Sequence, residues 1–172
     1  AAVGVANGNL NHTYHALELR INDLVCSEGT INAAVAGHYG VPVGLITGDV
    51  AAVETLRAQV GEKLRGVAVK RGITRFAAEH LMGVAEARDA IRAEAAAAVR
   101  DALEGASTAP LKIDGAVTMR LAFKETIFAD ASALIPGATR IDGRTLQWVC
   151  GDVLEAYRIF VVTYYLSRGV DA

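Results

Sequence analysis

The hydrophobic and polar positions along the chain change period several times, and each change predicts an element. Over residues 13–21 the apolar Tyr14, Ala16, Leu17, Leu19 and Ile21 partly alternate with polar positions, the spacing of a strand, and Asn22-Asp23 supplies a turn after it. Ser27 is placed to cap a short helix in which Ile31, Ala34, Val35 and His38 recur at helical spacing, with Ala33, Ala36 and Gly37 permitting close packing. Residues 41–47 read as a buried strand that ends at Gly48-Asp49, and residues 50–60 return to a helical pattern. Residues 66–70 predict another short strand, followed by a loop carrying Arg71 and Arg75.

The second half repeats the theme. Residues 84–104 give the clearest helix, with Val84, Ala87, Ile91, Ala95, Ala98 and Ala102 on one face and Glu86, Asp89, Glu94, Arg100, Asp101 and Glu104 on the other. Two strand-like runs follow, 116–123 and 139–149, separated by a short apolar segment ending Ile135-Pro136-Gly137. The last helix starts at Asp152 and Glu155, which have the reciprocal spacing of a capping box, and stops near Arg168-Gly169. Its interior leaves little polar face, which predicts cover on both sides, a sheet on one and a subunit contact on the other.

Buried strands alternating with amphipathic helices predict an α/β fold, a mixed sheet flanked by helices on both faces in three layers. Residues 1–110 form an α/β portion and residues 111–172 a C-terminal strand-helix portion on this reading. With 172 residues, 52% hydrophobic and 21% charged, the chain can bury a substantial core.

Charge narrows the partners. The 17 basic and 19 acidic residues give a formal net charge of -2, so no broad cationic field is available to gather phosphate backbones or anionic lipids, and no nucleic-acid partner is expected. No stretch reaches the roughly 18 to 20 uninterrupted apolar residues of a membrane span, so no membrane partner is expected either. Two cysteines, Cys26 and Cys150, do not make a disulfide framework, which predicts free thiols and a cytoplasmic location. The chain opens Ala1-Ala2-Val3-Gly4, without an initiator Met or the charged-then-apolar order of a signal peptide, so a segment upstream is expected.

The candidate chemistry lies near the start. His12 and His15 fall close together in Asn11-His12-Thr13-Tyr14-His15, just after a loop rich in Gly and Asn, where an imidazole can act as acid, base or ligand on a substrate that approaches closely. Surface or satisfied structural histidines would have the same spacing. Glu28 begins a helix, where the helix dipole favours a carboxylate, and reads either as first-turn electrostatics or as a ligand. Asp49 sits at a strand-to-helix turn, the edge where α/β sheets place ligands, and also suits a helix cap. His38 and His80 fall in apolar segments read as helical and are expected to be structural.

Several segments, in order, resemble the zinc-dependent D-aminopeptidase family of the dipeptide-operon type. They are Asn11-His12-Thr13, Ile21-Asn22, Glu28 with Ile31-Asn32-Ala33, and Gly40-Val41-Pro42-Val43 running to Thr47-Gly48-Asp49; then Val69-Lys70 with Arg75, Ile135-Pro136-Gly137, and Leu154-Glu155-Ala156-Tyr157. Position by position, His12 matches the family's catalytic histidine and Glu28 a carboxylate that ligates zinc. The family's Asp and Glu near the N-terminus and its two further histidine ligands have no counterpart here, and Asp49-Val50 stands where the family has two consecutive Asp residues.

The resemblance implies a metallo-aminopeptidase with two zinc ions in the complete enzyme, a short peptide substrate with a free amino end, and a large homo-oligomer. It implies that this chain is about the C-terminal two-thirds and that an N-terminal segment or chain carries the remaining zinc ligands. Because a catalytic zinc needs about three protein ligands and an open position, residues 1–172 alone are expected to lack the complete site. A non-catalytic assembly or binding module that keeps the fold is the alternative.

Overall fold

The computed structural model describes Gly8, residues 15–74 and residues 76–170. Among these, the chain runs β1 (Ala16–Ile21), β2 (Leu24–Cys26), α1 (Glu28–His38), β3 (Leu45–Asp49), α2 (Val50–Val60), β4 (Arg65–Gly72), β5 (Ala78–His80) and α3 (Val84–Leu103), then β6 (Val117–Phe123), α4 (Thr126–Ser132), β7 (Thr139–Arg140), β8 (Thr145–Cys150) and α5 (Val153–Val170). The fold is α/β, with helices layered against sheets. Its strands divide into two sheets: five strands in the order β2-β1-β6-β8-β7, all antiparallel, and three in the order β3-β4-β5, in which β3 and β4 are parallel and β5 returns antiparallel.

The larger sheet follows from alternation. Along β6, Val117, Met119, Leu121 and Phe123 are buried while Arg120 is exposed, and β8 buries Leu146, Trp148 and Cys150 in step. Registers Leu19↔Leu121 and Leu121↔Leu146 line these side chains up on one inward face. Asn22, whose φ of 53° puts it in the left-handed region that Asn tolerates, turns the chain out of β1 and exchanges hydrogen bonds with Thr118 through its own N–H (2.7 Å) and its side-chain Oδ1 (2.8 Å). The buried face carries the main core, which α1, α4 and α5 complete with Ile31, Ala34, Phe128, Ala129, Val153, Ala156 and Phe160.

The smaller sheet is a β3-α2-β4 unit with a hairpin added. Val53 and Leu56 of α2 face inward, and α3 lies against β3 and β4 through its C-terminal half, where Ala97 and Ala98 are buried. Arg65 at the start of β4 fastens α3 with a two-pronged contact to Asp101 (2.6 and 3.2 Å) and a third bond to Glu94 (2.9 Å). The helix predicted over 84–104 is present, but its N-terminal half is mostly exposed, Val84 included.

The segment after α3 crosses α1 at Gly37, where an added Cβ would lie 2.0 Å from the carbonyl oxygen of Leu111. Leu111 packs against both hydrophobic clusters, and Thr108 donates to the Val43 carbonyl (2.9 Å), so this strap holds the two sheets' cores together.

Three local expectations are corrected. Arg71 is not in a loop: β4 continues through it and pairs it with Glu79 of β5, with Nη1 to Oε2 at 3.1 Å. Arg75 lies outside the described residues. The run 139–149 breaks into β7 and β8 at Asp142-Gly143, where Asp142 Oδ1 accepts from the Arg144 N–H. Residues 126–132 form the helix α4, where the sequence pattern predicts only a short apolar segment.

Candidate functional site

Glu28 is the first residue of α1, and local sequence fixes its position. The side chain of Ser27 accepts from the Thr30 N–H (3.1 Å), and the Thr30 hydroxyl accepts from the Ser27 N–H (3.0 Å), a reciprocal cap built by Thr where Glu or Gln more often serves. Thr30 is fully buried and donates to Gln59 Oε1 from α2, while Gln59 Nε2 donates to the Val25 carbonyl (2.8 Å). The turn that presents Glu28 is therefore held from the helix below it as well as from its own cap.

A cavity of about 240 Å³ opens between α1 and α5. Glu28, Ile31 and Asn32 line it from α1, and Tyr157, Phe160 and Tyr164 from α5. His15, immediately before β1, also lines it and is only 2% exposed. Its ring packs among aromatic rings, with centroids 5.5 Å from both Phe160 and Tyr164 and 6.1 Å from Phe123.

The protonation of His15 follows from its neighbours. Burial, and after it the positive charge of Lys124, push the imidazole down to about 4, so the ring is neutral near pH 7. The Thr163 hydroxyl spends its single proton on the Phe160 carbonyl (2.7 Å) and can only accept from His15 Nε2 at 3.3 Å. Nε2 therefore carries the imidazole proton. Nδ1 is left as a bare acceptor, buried and without a hydrogen-bond partner among the described residues.

The other candidates are placed as follows. His12 lies outside the described residues. Asp49 is a helix cap, buried and accepting from the Ala52 N–H at 2.7 Å. His38, the last residue of α1, is exposed, and His80 is exposed on β5 instead of being in a helix, so neither is a core histidine. Cys26 and Cys150 are buried free thiols. Among the described residues no group of three or more His, Cys, Asp or Glu is arranged to hold a metal ion, and no helix is long and apolar enough to cross a membrane.

The sequence reading missed the cavity wall on α5. Positions 157, 160 and 164 form an aromatic stripe at helical spacing, a signal present in the sequence and assigned there to packing against a sheet and a subunit. That their opposite wall would be α1 depends on contacts between distant parts of the chain.

Comparison with known proteins supplies the family. A family model described as D-aminopeptidase, Peptidase M55, matches residues 1–162. Among solved structures the fold is similar to the Zn-dependent D-aminopeptidase DppA from Bacillus subtilis, described as a self-compartmentalizing protease, with a TM-score of 0.87 and 26% sequence identity. The match covers 97% of this chain and 60% of that one, so the chain spans three-fifths of its relative's length. No curated protein sequence matches. A fold agreement over nearly the whole chain and a family match over almost all of it lead to one conclusion: the chain belongs to the M55 family of D-aminopeptidases.

Proposed function

We propose that this chain supplies part of the active site of a zinc-dependent D-aminopeptidase that removes the N-terminal residue of short peptides, with Glu28 as a metal ligand and His12 as the catalytic histidine. The observation that carries this is the placement of Glu28: a carboxylate, fixed by the Ser27–Thr30 cap and Gln59, on the wall of a cavity large enough for part of a peptide. A carboxylate oxygen is a donor that zinc accepts, so Glu28 fits the metal that the family implies. One such donor does not make a site, and the remaining ligands belong to a segment or chain outside this one.

Zinc, when bound, supplies a Lewis acid and a nucleophilic water. Glu28 fixes where that chemistry happens relative to the cavity. His12 donates a proton or stabilises the tetrahedral oxyanion. The enzyme works as a large homo-oligomer in the cytoplasm, a reading supported by the self-compartmentalizing relative and by two buried free thiols.

Metal analysis and peptide hydrolysis on the assembled enzyme test the assignment. Glu28→Ala should lose zinc first and activity with it. Full zinc occupancy in that variant would end the role of Glu28.

A further inference from the structure

Among the described residues β3 keeps one bare edge: it stands at the end of the order β3-β4-β5, with β4 as its only neighbour. The Arg65 N–H donates to the Gly44 carbonyl (3.3 Å), and the pairing is parallel with Leu45 opposite Arg65. Backbone groups alternate sides along a strand, so residues 44, 46 and 48 turn theirs toward β4, while Leu45 and Thr47 turn theirs outward. Thr47 is exposed. The usual protections of an edge are missing, since residues 45–48 include no Pro and no charged side chain, and the one register shift lies at the far end, between Gly48 and Asp49. The surroundings, by contrast, are those of an interior strand. Arg65 reaches Asp101 and Glu94 of α3, whereas a Cβ on the next residue, Gly66, would meet Val53 of α2 at 2.6 Å. Consecutive residues face opposite sides of a sheet, so α2 and α3 cover opposite faces, and both helices contact β3 as well as β4. Parallel strands covered on both faces belong, in α/β folds, to sheets of more strands than these.

We infer that the outer edge of β3 receives a further strand, and that the strand comes from the segment that completes the enzyme. This rests on the reading in which the remaining zinc ligands lie outside this chain. The match covers 60% of the relative of similar fold, so two-fifths of that protein's length has no counterpart here, ample for a strand that matches β3. The position specifies the strand's chemistry. Lying between the same two helical layers, it is apolar on both faces, runs parallel to β3, and has no Pro where its N–H meets the outward carbonyls of Leu45 and Thr47.

Amide hydrogen exchange at single residues tests this without turnover. In the full chain alone, Leu45 and Thr47 should exchange rapidly, while Ile46 and Gly48, turned toward β4, exchange slowly. In the enzyme assembled with the remaining segment, Leu45 and Thr47 should slow by about a hundredfold or more. Thr47→Pro removes one outward N–H at a place where an edge strand tolerates proline, so the chain alone should keep its far-UV circular dichroism. In the assembled enzyme that variant should leave Leu45 fast, whereas Thr47→Val, which keeps the N–H, should protect it as the parent does. The exchange of the parent decides the matter whether or not the proline variant folds. Fast exchange of Leu45 and Thr47 in the assembled enzyme, or slow exchange in the chain alone, would overturn the added strand; slowing that appears only when the chain alone is concentrated would name a second copy as the occupant instead. Zinc analysis of Glu28→Ala separates this from the metal assignment. Protected Leu45 and Thr47 with full zinc in that variant would remove the role of Glu28 and leave the strand, and zinc loss with both amides unprotected would remove the strand and leave the role of Glu28.

Discussion

His15 Nε2 lies 3.3 Å from Thr163 Oγ1, a contact between side chains separated by 148 positions, and the hydroxyl's own proton is committed to the Phe160 carbonyl. Burial, and after it the positive charge of Lys124, hold the imidazole neutral in the folded chain, lowered to about 4 against an ordinary value of 6.5 once unfolded. Between those two values the unfolded chain binds a proton that the folded chain does not. Stability should fall as pH drops from 6.5 to about 4, by on the order of 3 kcal/mol, and the contribution should level off below that. Urea melts across this window should show the slope, and His15→Phe, which keeps a ring, should lack that part of it. An unchanged slope in the variant would assign the effect to other groups.

Gly37→Ala should be among the more damaging single-methyl additions. The new Cβ would meet the Leu111 carbonyl oxygen at 2.0 Å; that oxygen is backbone and the Cβ is fixed to the helix backbone, so neither can swing away. We expect a loss of about 3 kcal/mol, the upper end of ordinary overpacking, seen as a lower urea midpoint. Gly143→Ala is the control, because nothing lies within 4 Å of its added Cβ. It should stay within about 0.5 kcal/mol of the parent.

The two thiols should resist modification until the protein opens. Burial pushes Cys26 and Cys150 up to about 11, with Glu155 and Asp152 adding to the effect at Cys150. Since the thiolate is the reactive form, a disulfide reagent near neutral pH should find almost none in the folded chain and both in urea. Rapid labelling of either cysteine in native protein would show that its burial is transient.

On the proposed role of His12, His12→Ala in the assembled enzyme should lower kcat by about two orders of magnitude while zinc content stays close to the parent's. Parallel loss of zinc and activity would make His12 a ligand instead. Glu28→Ala gives the opposite order of events, so the two variants together separate metal holding from proton chemistry.

The parts of the fold that could be read in the sequence are those set by neighbours along the chain. Ser27 caps α1, Asp49 caps α2, and at α5 Asp152 accepts from the Glu155 N–H while Glu155 reaches the Gly151 N–H, one residue earlier than the reciprocal pattern would place it. What escaped was decided by partners far away. α4 has only seven residues and no side-chain cap, and its inward residues Phe128, Ala129 and Ser132 show their purpose only beside α5 and β6. The division into two sheets depends on β1 pairing with β6 and not with β3, which no local period encodes. At the site, its helix position and its family counterpart single out Glu28, but the cavity it lines takes shape only where α1 meets α5. His15 was grouped with His12 by spacing, and its tautomer and bare Nδ1 emerged only when Thr163 and Phe160 came into contact with it.

The pairing of β1 with β6 also sets the order in which the molecule can be built on the ribosome. β1 and β2 can fold back on each other early, and the β3-α2-β4 unit is local enough to follow, but Leu19 has no Leu121 to pair with until β6 has been made. At usual rates of synthesis that delay is on the order of ten seconds. For that interval β1 presents Leu19 and Ile21 beside an unpaired edge, the state most open to sticking to another nascent chain. Expression should therefore respond more strongly to translation speed, temperature and trigger-type chaperones than the finished fold's stability would suggest, and slower growth temperatures should raise the soluble yield.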